Sequence, residues 1–174
     1  MTRIFQVCGF QNTGKTSVVT KVISHFAAVG IKAAVLKHHG HGGKLAVGGY
    51  QKDSERYLEA GAHVSLAAGG GSFQVLADGV ELDLMTQLKV AACLEPDLIL
   101  IEGYKMEGFP KILMIREEKD LALVEKTMNV KGIITWPEAI IDNSKIGDIQ
   151  HFSLEDPRLA ENVCRLILET GSEF

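Results

Sequence analysis

With 174 residues, 46% hydrophobic and 23% charged, the chain suits one domain, residues 1–174, with a sizeable core. A net charge of −4 and a pI near 5.9 argue against a general nucleic-acid binder. Cys8, Cys93 and Cys164 are odd in number and far apart, which argues against a disulfide framework or a structural zinc site.

The chain starts directly in a strand-like run, "RIFQVCGF", short, apolar and closed by glycine. After Lys15 the period changes. Val18, Val19, Val22, Ile23, Phe26 and Ala27 recur at helical spacing, and Gly30 ends the helix. "IKAAVLKH" is the next strand, followed by a glycine-rich loop, "HHGHGGKLAVGGYQK". "DSERYLEAGA" predicts a short helix with Asp53 or Ser54 near its N-cap. "HVSLAAGGGSFQVLA" predicts a hairpin, "ELDLMTQLKVAACL" a helix, and "DLILIEG" a fully apolar strand ending in an acid. "KILMIRE" and "GIITW" add two strands. Asp156 and Pro157 open a last helix whose inner face is Leu159, Val163, Leu166 and Ile167. Strands alternating with helices imply an α/β fold: a mostly parallel sheet with helices on both faces, plus an antiparallel hairpin. No leader-like start and no run of about 18 apolar residues is seen, so the expected location is cytoplasmic, with no membrane and no nucleic acid as partner.

Between the first strand and the first helix lies "GFQNTGKT", a full G-x-x-x-x-G-K-[ST] phosphate loop. Such a loop bends round an anion so that backbone N–H groups point inward, and Gly9 and Gly14 permit that approach. The helix adds the positive end of its dipole. The candidate contacts are Gly9, Gln11, Asn12, Thr13, Gly14, Lys15, Thr16 and Ser17. Lys15 would reach the terminal phosphates and Thr16 would offer its hydroxyl to Mg²⁺.

Glu102 ends the apolar strand "LILIE", and in open parallel sheets ligands sit outside that carboxyl edge. It is therefore a candidate for Mg²⁺ or its water shell, against the plainer reading of an acid closing a strand. Asp53 is either a helix cap or a switch-like acid that positions water or Mg²⁺. His38, His39 and His41 share one loop; a role in anion or substrate contact is favoured over a dedicated metal site, which needs a fixed ligand set.

Taken in order, "GFQNTGKTSVVTKVI", "VLKHHGH", "KDSERYLEAGA" and "PDLILIEGYK", with Pro110 and Lys111 downstream, resemble the molybdopterin-guanine dinucleotide biosynthesis protein B (MobB) family over the first two-thirds of the chain. The resemblance implies a P-loop NTPase-type protein that binds GTP and Mg²⁺, forms a homodimer and hydrolyses GTP slowly. It would assist the guanylyltransferase MobA, which joins a guanine nucleotide to molybdopterin, so molybdopterin or its guanine dinucleotide is a further implied ligand. Carried over by position, Gly14, Lys15 and Thr16 hold phosphates and Mg²⁺. Lys37, His38 and His39 line the adjoining loop, Asp53 and Ser54 sit in a switch-like segment, and Glu102, Gly103 and Lys105 lie at a second strand end. Lys15, Asp53 and Glu102 are the catalytic candidates, and Thr16, Asp53 and Glu102 the metal ligands.

No N-K-x-D reader of guanine is present, so GTP over ATP rests on the resemblance. "ITWPEA", after a late strand, is a topological guess for the base side. Three other functions stay open: a small-molecule kinase, a non-enzymatic adapter for nucleotide or pterin, and a metal-delivery GTPase. The five arginines form no clustered lid in sequence, which disfavours the kinase.

Overall fold

A computed structural model describes residues 1–38, 52–139 and 146–174. His39, His41 and the rest of the glycine-rich loop lie outside the described residues. The chain forms two compact units, residues 1–40 with 87–174, and residues 41–86.

The first unit is built on a seven-stranded sheet. Its strands are β1 (Arg3–Gly9), β2 (Ala33–Lys37), β5 (Leu98–Glu102), β6 (Lys111–Ile115), β7 (Val130–Thr135), β8 (Gln150–Ser153) and β9 (Ser172–Glu173). The order is β2-β5-β1-β6-β7-β8, and every pairing along it is parallel. β9 pairs antiparallel with Arg3 and Ile4, on the flank of β1 where β6 pairs only from Gln6 onward.

Both faces of the sheet are covered. α1 (Lys15–Ala28) and α5 (Leu159–Thr170) lie on one face, burying Val18, Val19, Val22 and Phe26 with Val163, Leu166 and Ile167 against Phe5, Val7 and Leu100. Each such fully buried side chain contributes roughly 1.5–3 kcal/mol. The opposite face packs Cys8, Leu113, Ile115 and Ile133 under a 3₁₀ turn (Glu118–Leu121) and the short α4 (Ala122–Lys126). β5 and β6 are buried along their whole length, as the unbroken apolar runs "LILI" and "ILMI" require of strands covered on two sides.

The second unit holds α2 (Lys52–Glu59) against the antiparallel hairpin β3 (Val64–Gly69) and β4 (Ser72–Ala77); α3 (Leu84–Ala92) runs across the boundary between the units. The expected hairpin turn is present, with Gly70 and Gly71 at φ 56° and 79°. Asp53 is not the cap of α2: the helix already includes Lys52, so Asp53 lies in its first turn, where an acid complements the helix dipole. α3 starts later than its composition suggests, because the Asp83 carboxylate accepts from the Thr86 N–H at 2.6 Å and caps it there. α5 likewise begins at Leu159, after Asp156 and Pro157. Among the described residues, no helix is long and apolar enough to cross a membrane.

Candidate functional site

The strand order reverses beside β1, since the chain passes from β1 to β2 and β5 on one side and then to β6, β7 and β8 on the other. Ligands of open α/β sheets bind outside the carboxyl ends at such a point. The phosphate loop follows β1 there. Gly14 at φ 89° is the N-cap of α1 and Asn12 sits at φ 58°, so the loop turns through left-handed backbone twice. Gly9 has a different reason to be glycine. A Cβ there would fall 2.8 Å from Thr13 Oγ1 and 2.9 Å from Met114 Cβ, so the position is fixed by packing beneath the loop. Thr13 is buried and its hydroxyl donates to the Phe10 carbonyl at 2.9 Å, closing the loop on itself. Gln11 and Ser17 are exposed on it.

Lys15 folds back over the loop and its Nζ donates to the same Phe10 carbonyl at 2.5 Å. Burial is the main cause that pushes this ammonium below the ordinary lysine range. Glu102 opposes the shift, and the charges of Lys105 and Lys37 add to it. Lys105 reaches over the Phe10 ring, 4.5 Å from its centroid. Thr16, Lys37 and Glu102 form one cluster. The Thr16 hydroxyl lies 3.0 Å from both oxygens of the buried Glu102, and Lys37 Nζ lies 3.1 Å from both Thr16 Oγ1 and Glu102 Oε1. Residues 86 positions apart thus meet because β1 and β5 are parallel neighbours in register, Val7 opposite Glu102.

Gly103 turns the chain away at φ 101°, and a Cβ there would meet His38 Cβ at 3.0 Å. His38 stacks at 4.4 Å on Tyr104, itself at φ 52°. The buried Gln6 amide donates to the carbonyls of Gly103 and Tyr104 and holds this turn. The structure therefore brings together Gly9 to Ser17, Lys37, His38, Glu102, Gly103 and Lys105. Asp53 belongs to the second unit; it is exposed there and its carboxylate lies 3.7 Å from Arg56.

Three residues take roles that a reading of the sequence did not give them: Arg116, Trp136 of "ITWPEA", and Lys111. Trp136 Nε1 donates to the Thr13 carbonyl at 2.9 Å, and Arg116 Nη1 donates to the Asn12 carbonyl at 3.1 Å. Lys111 is fully buried, donating to the carbonyls of Glu107 and Met128, which ties the loop after β5 to the turn before β7. An ionisable residue opening an apolar strand was the available signal for Lys111; a lone tryptophan at a strand end was the signal for Trp136.

A phosphate loop between β1 and α1, at the carboxyl edge of a parallel sheet covered on both faces, defines the P-loop NTPase-type fold. The model of the family "molybdopterin guanine dinucleotide synthesis protein B", MobB, matches residues 4–136, and the chain belongs to that family. It is 37% identical over 131 residues to a probable molybdopterin-guanine dinucleotide biosynthesis adapter protein of Bacillus subtilis, covering 75% of each chain. A molybdopterin-guanine dinucleotide biosynthesis adapter protein of Haemophilus influenzae is 30% identical over 154 residues, 84% of each chain. The crystal structure of Bacillus subtilis MobB superimposes with a TM-score of 0.81 at 34% identity, covering 94% of this chain and 97% of that one.

Proposed function

We propose that the protein binds GTP with Mg²⁺ and hydrolyses it slowly, as an accessory protein in molybdopterin guanine dinucleotide biosynthesis that assists the guanylyltransferase MobA. The observation that carries this reading is an imbalance of charge. Among the described residues, Lys15 at the amino end of α1 interacts electrostatically with two further ammonium groups, Lys105 and Lys37, and with one carboxylate, Glu102, with which Lys37 also pairs. Such a surplus of cations, beside a helix N-terminus and a left-handed loop, fits a polyanion.

Lys15 is poised to exchange the Phe10 carbonyl for a terminal phosphate. The Thr16 hydroxyl and the Glu102 carboxylate are hard oxygen donors of the kind Mg²⁺ takes. A cation already bridges them in this structure, the Lys37 ammonium, so the donor set fits a metal ion. Magnesium bound there would offset charge on the phosphates. Slow hydrolysis is supported by the engagement of Glu102, whose carboxylate is already held by the Thr16 hydroxyl and the Lys37 ammonium and is not free to orient water. The guanine base and the pathway are supported by the names of the relatives.

Those relatives are called adapter proteins, which favours a second reading, in which nucleotide is held rather than turned over. A homodimer is supported by the hairpin. Val64, Leu66, Val75 and Phe73 share one of its faces by register and are 43%, 61%, 45% and 55% exposed. A shallow groove of about 360 Å³ runs along Ala67 to Gly69 and Ser72 to Gln74. A two-stranded sheet is marginal by itself, and a second copy would cover that apolar face.

The test is phosphate release from GTP by the isolated protein with and without Mg²⁺, and with MobA added. Slow, Mg²⁺-dependent release is expected for the GTPase. Tight binding with no release would leave the adapter reading, and no binding of any nucleotide would overturn both.

A further inference from the structure

Two residues from the far side of the loop, away from Glu102 and Lys37, grip its backbone. Arg116 follows β6 and Trp136 follows β7. The guanidinium lies 4.9 Å from the centre of the Trp136 ring, so the two form one stacked unit. That unit bonds successive carbonyls of the loop, Arg116 with Asn12 and Trp136 with Thr13. The indole carbon Cζ2 would also lie 3.8 Å from a Cβ placed on Gly14. The backbone N–H of Arg116 is in turn bonded to the buried Asp120 carboxylate at 2.9 Å, which anchors the start of the clamp.

The consequence follows from peptide geometry. In a trans peptide the carbonyl of one residue and the N–H of the next point in opposite directions. Drawing the Asn12 carbonyl toward Arg116 turns the Thr13 N–H the other way. Drawing the Thr13 carbonyl toward Trp136 does the same for the Gly14 N–H. Both amides are thereby set on the concave side of the loop, where an anion nest needs its donors. Asn12, held at φ 58°, would otherwise relax toward the right-handed region that non-glycine residues prefer.

We infer that Trp136 and Arg116 are positioning residues that set the amides of the phosphate loop, so that their loss weakens binding of the polyphosphate itself and not of the nucleobase. The inference rests on the phosphate-binding reading above. It differs from the topological expectation that this stretch lies beside the base.

Trp136→Phe keeps the ring and its stacking with Arg116 but removes the N–H. Arg116→Ala alters an exposed side chain and serves as a second, fold-neutral probe. Calorimetry would measure Mg–GTP and Mg–ATP directly, and Mg–tripolyphosphate by displacement of GTP, after thermal melts show each variant folded. Removing one hydrogen bond should weaken binding about three- to tenfold. The same factor is expected for GTP, ATP and tripolyphosphate, and Arg116→Lys should recover part of the affinity that Arg116→Ala removes. A loss for GTP with tripolyphosphate unaffected would assign the pair to the base and overturn the inference. Unchanged affinity for all three probes in both variants would overturn it as well. Wild-type protein that binds neither GTP nor tripolyphosphate would instead overturn the phosphate-binding reading on which it stands.

Discussion

β5 and the β3–β4 hairpin are both apolar in sequence, yet they end in opposite environments. Every residue of β5 is buried, including Glu102 at its end. In the hairpin, Ser65 of β3 is buried while Val64 and Leu66 on either side are exposed. Apolar sequence therefore marks two different things in this chain. In the sheet it is the packing of the strands on which the phosphate loop is mounted. In the hairpin it is a face exposed among the described residues, which supports the proposed pairing with a second copy.

The comparison can be broken most strongly in the buried region. Leu100→Ala should cost about 2–5 kcal/mol in urea unfolding, because a fully buried side chain leaves a cavity between the sheet and the helices that cover it. A loss below about 1 kcal/mol would mean the strand is less enclosed than it looks. Next comes the loop that this packing supports. Lys15→Ala should weaken Mg–GTP binding by roughly ten- to a hundredfold without lowering the melting temperature, since it removes a charge-assisted hydrogen bond to phosphate. On the hairpin, Leu66→Ser should change unfolding free energy by no more than about 0.5 kcal/mol in the monomer, the usual scale at an exposed site. The same variant should shift sedimentation of the proposed dimer toward monomer. An unchanged sedimentation profile would leave the hairpin face without that role.

Titration sharpens the same contrast. Because burial already lowers the Lys15 pKa, its charge is lost at a pH below 10.5, and GTP affinity should fall as pH rises through that lowered value. Lys15→Arg, which stays charged, should flatten the fall. The smallest effect concerns the thiols. Burial pushes Cys8 up to about 11 and Cys164 up to about 12, whereas Cys93 is exposed. One thiol of the three should therefore react quickly with a disulfide reagent at pH 8, and the other two only on unfolding. Both folded pKa values are raised above 9.0, so the stability these thiols contribute is complete below about 9 and is lost as pH rises toward 11 and 12.

Much of the sheet was legible in sequence because strands covered on both faces leave unbroken apolar runs, and α1 because its period changes at Lys15. β8, "QHFS", was not: an edge strand with exposed residues carries no such run. β9 has two residues and exists only because β1 offers an open flank at Arg3 and Ile4. The phosphate loop announced itself by spacing, but the close approach of Gly9 to Thr13 and Met114 is visible only in three dimensions. The Thr16–Glu102–Lys37 cluster depends on the register of three strands, and the Arg116–Trp136 clamp on side chains from two others. No local pattern encodes either. Asp53, which the sequence offered as a helix cap or a switch-like acid, is an exposed acid in the first turn of α2.

The most direct measurement is a crystal structure of the protein with Mg²⁺ and a non-hydrolysable GTP analogue. Phosphate oxygens should accept from the amides of Thr13 to Thr16, with Lys15 Nζ moved from the Phe10 carbonyl onto a terminal phosphate. An analogue bound elsewhere, with Lys15 still on that carbonyl, would contradict the account.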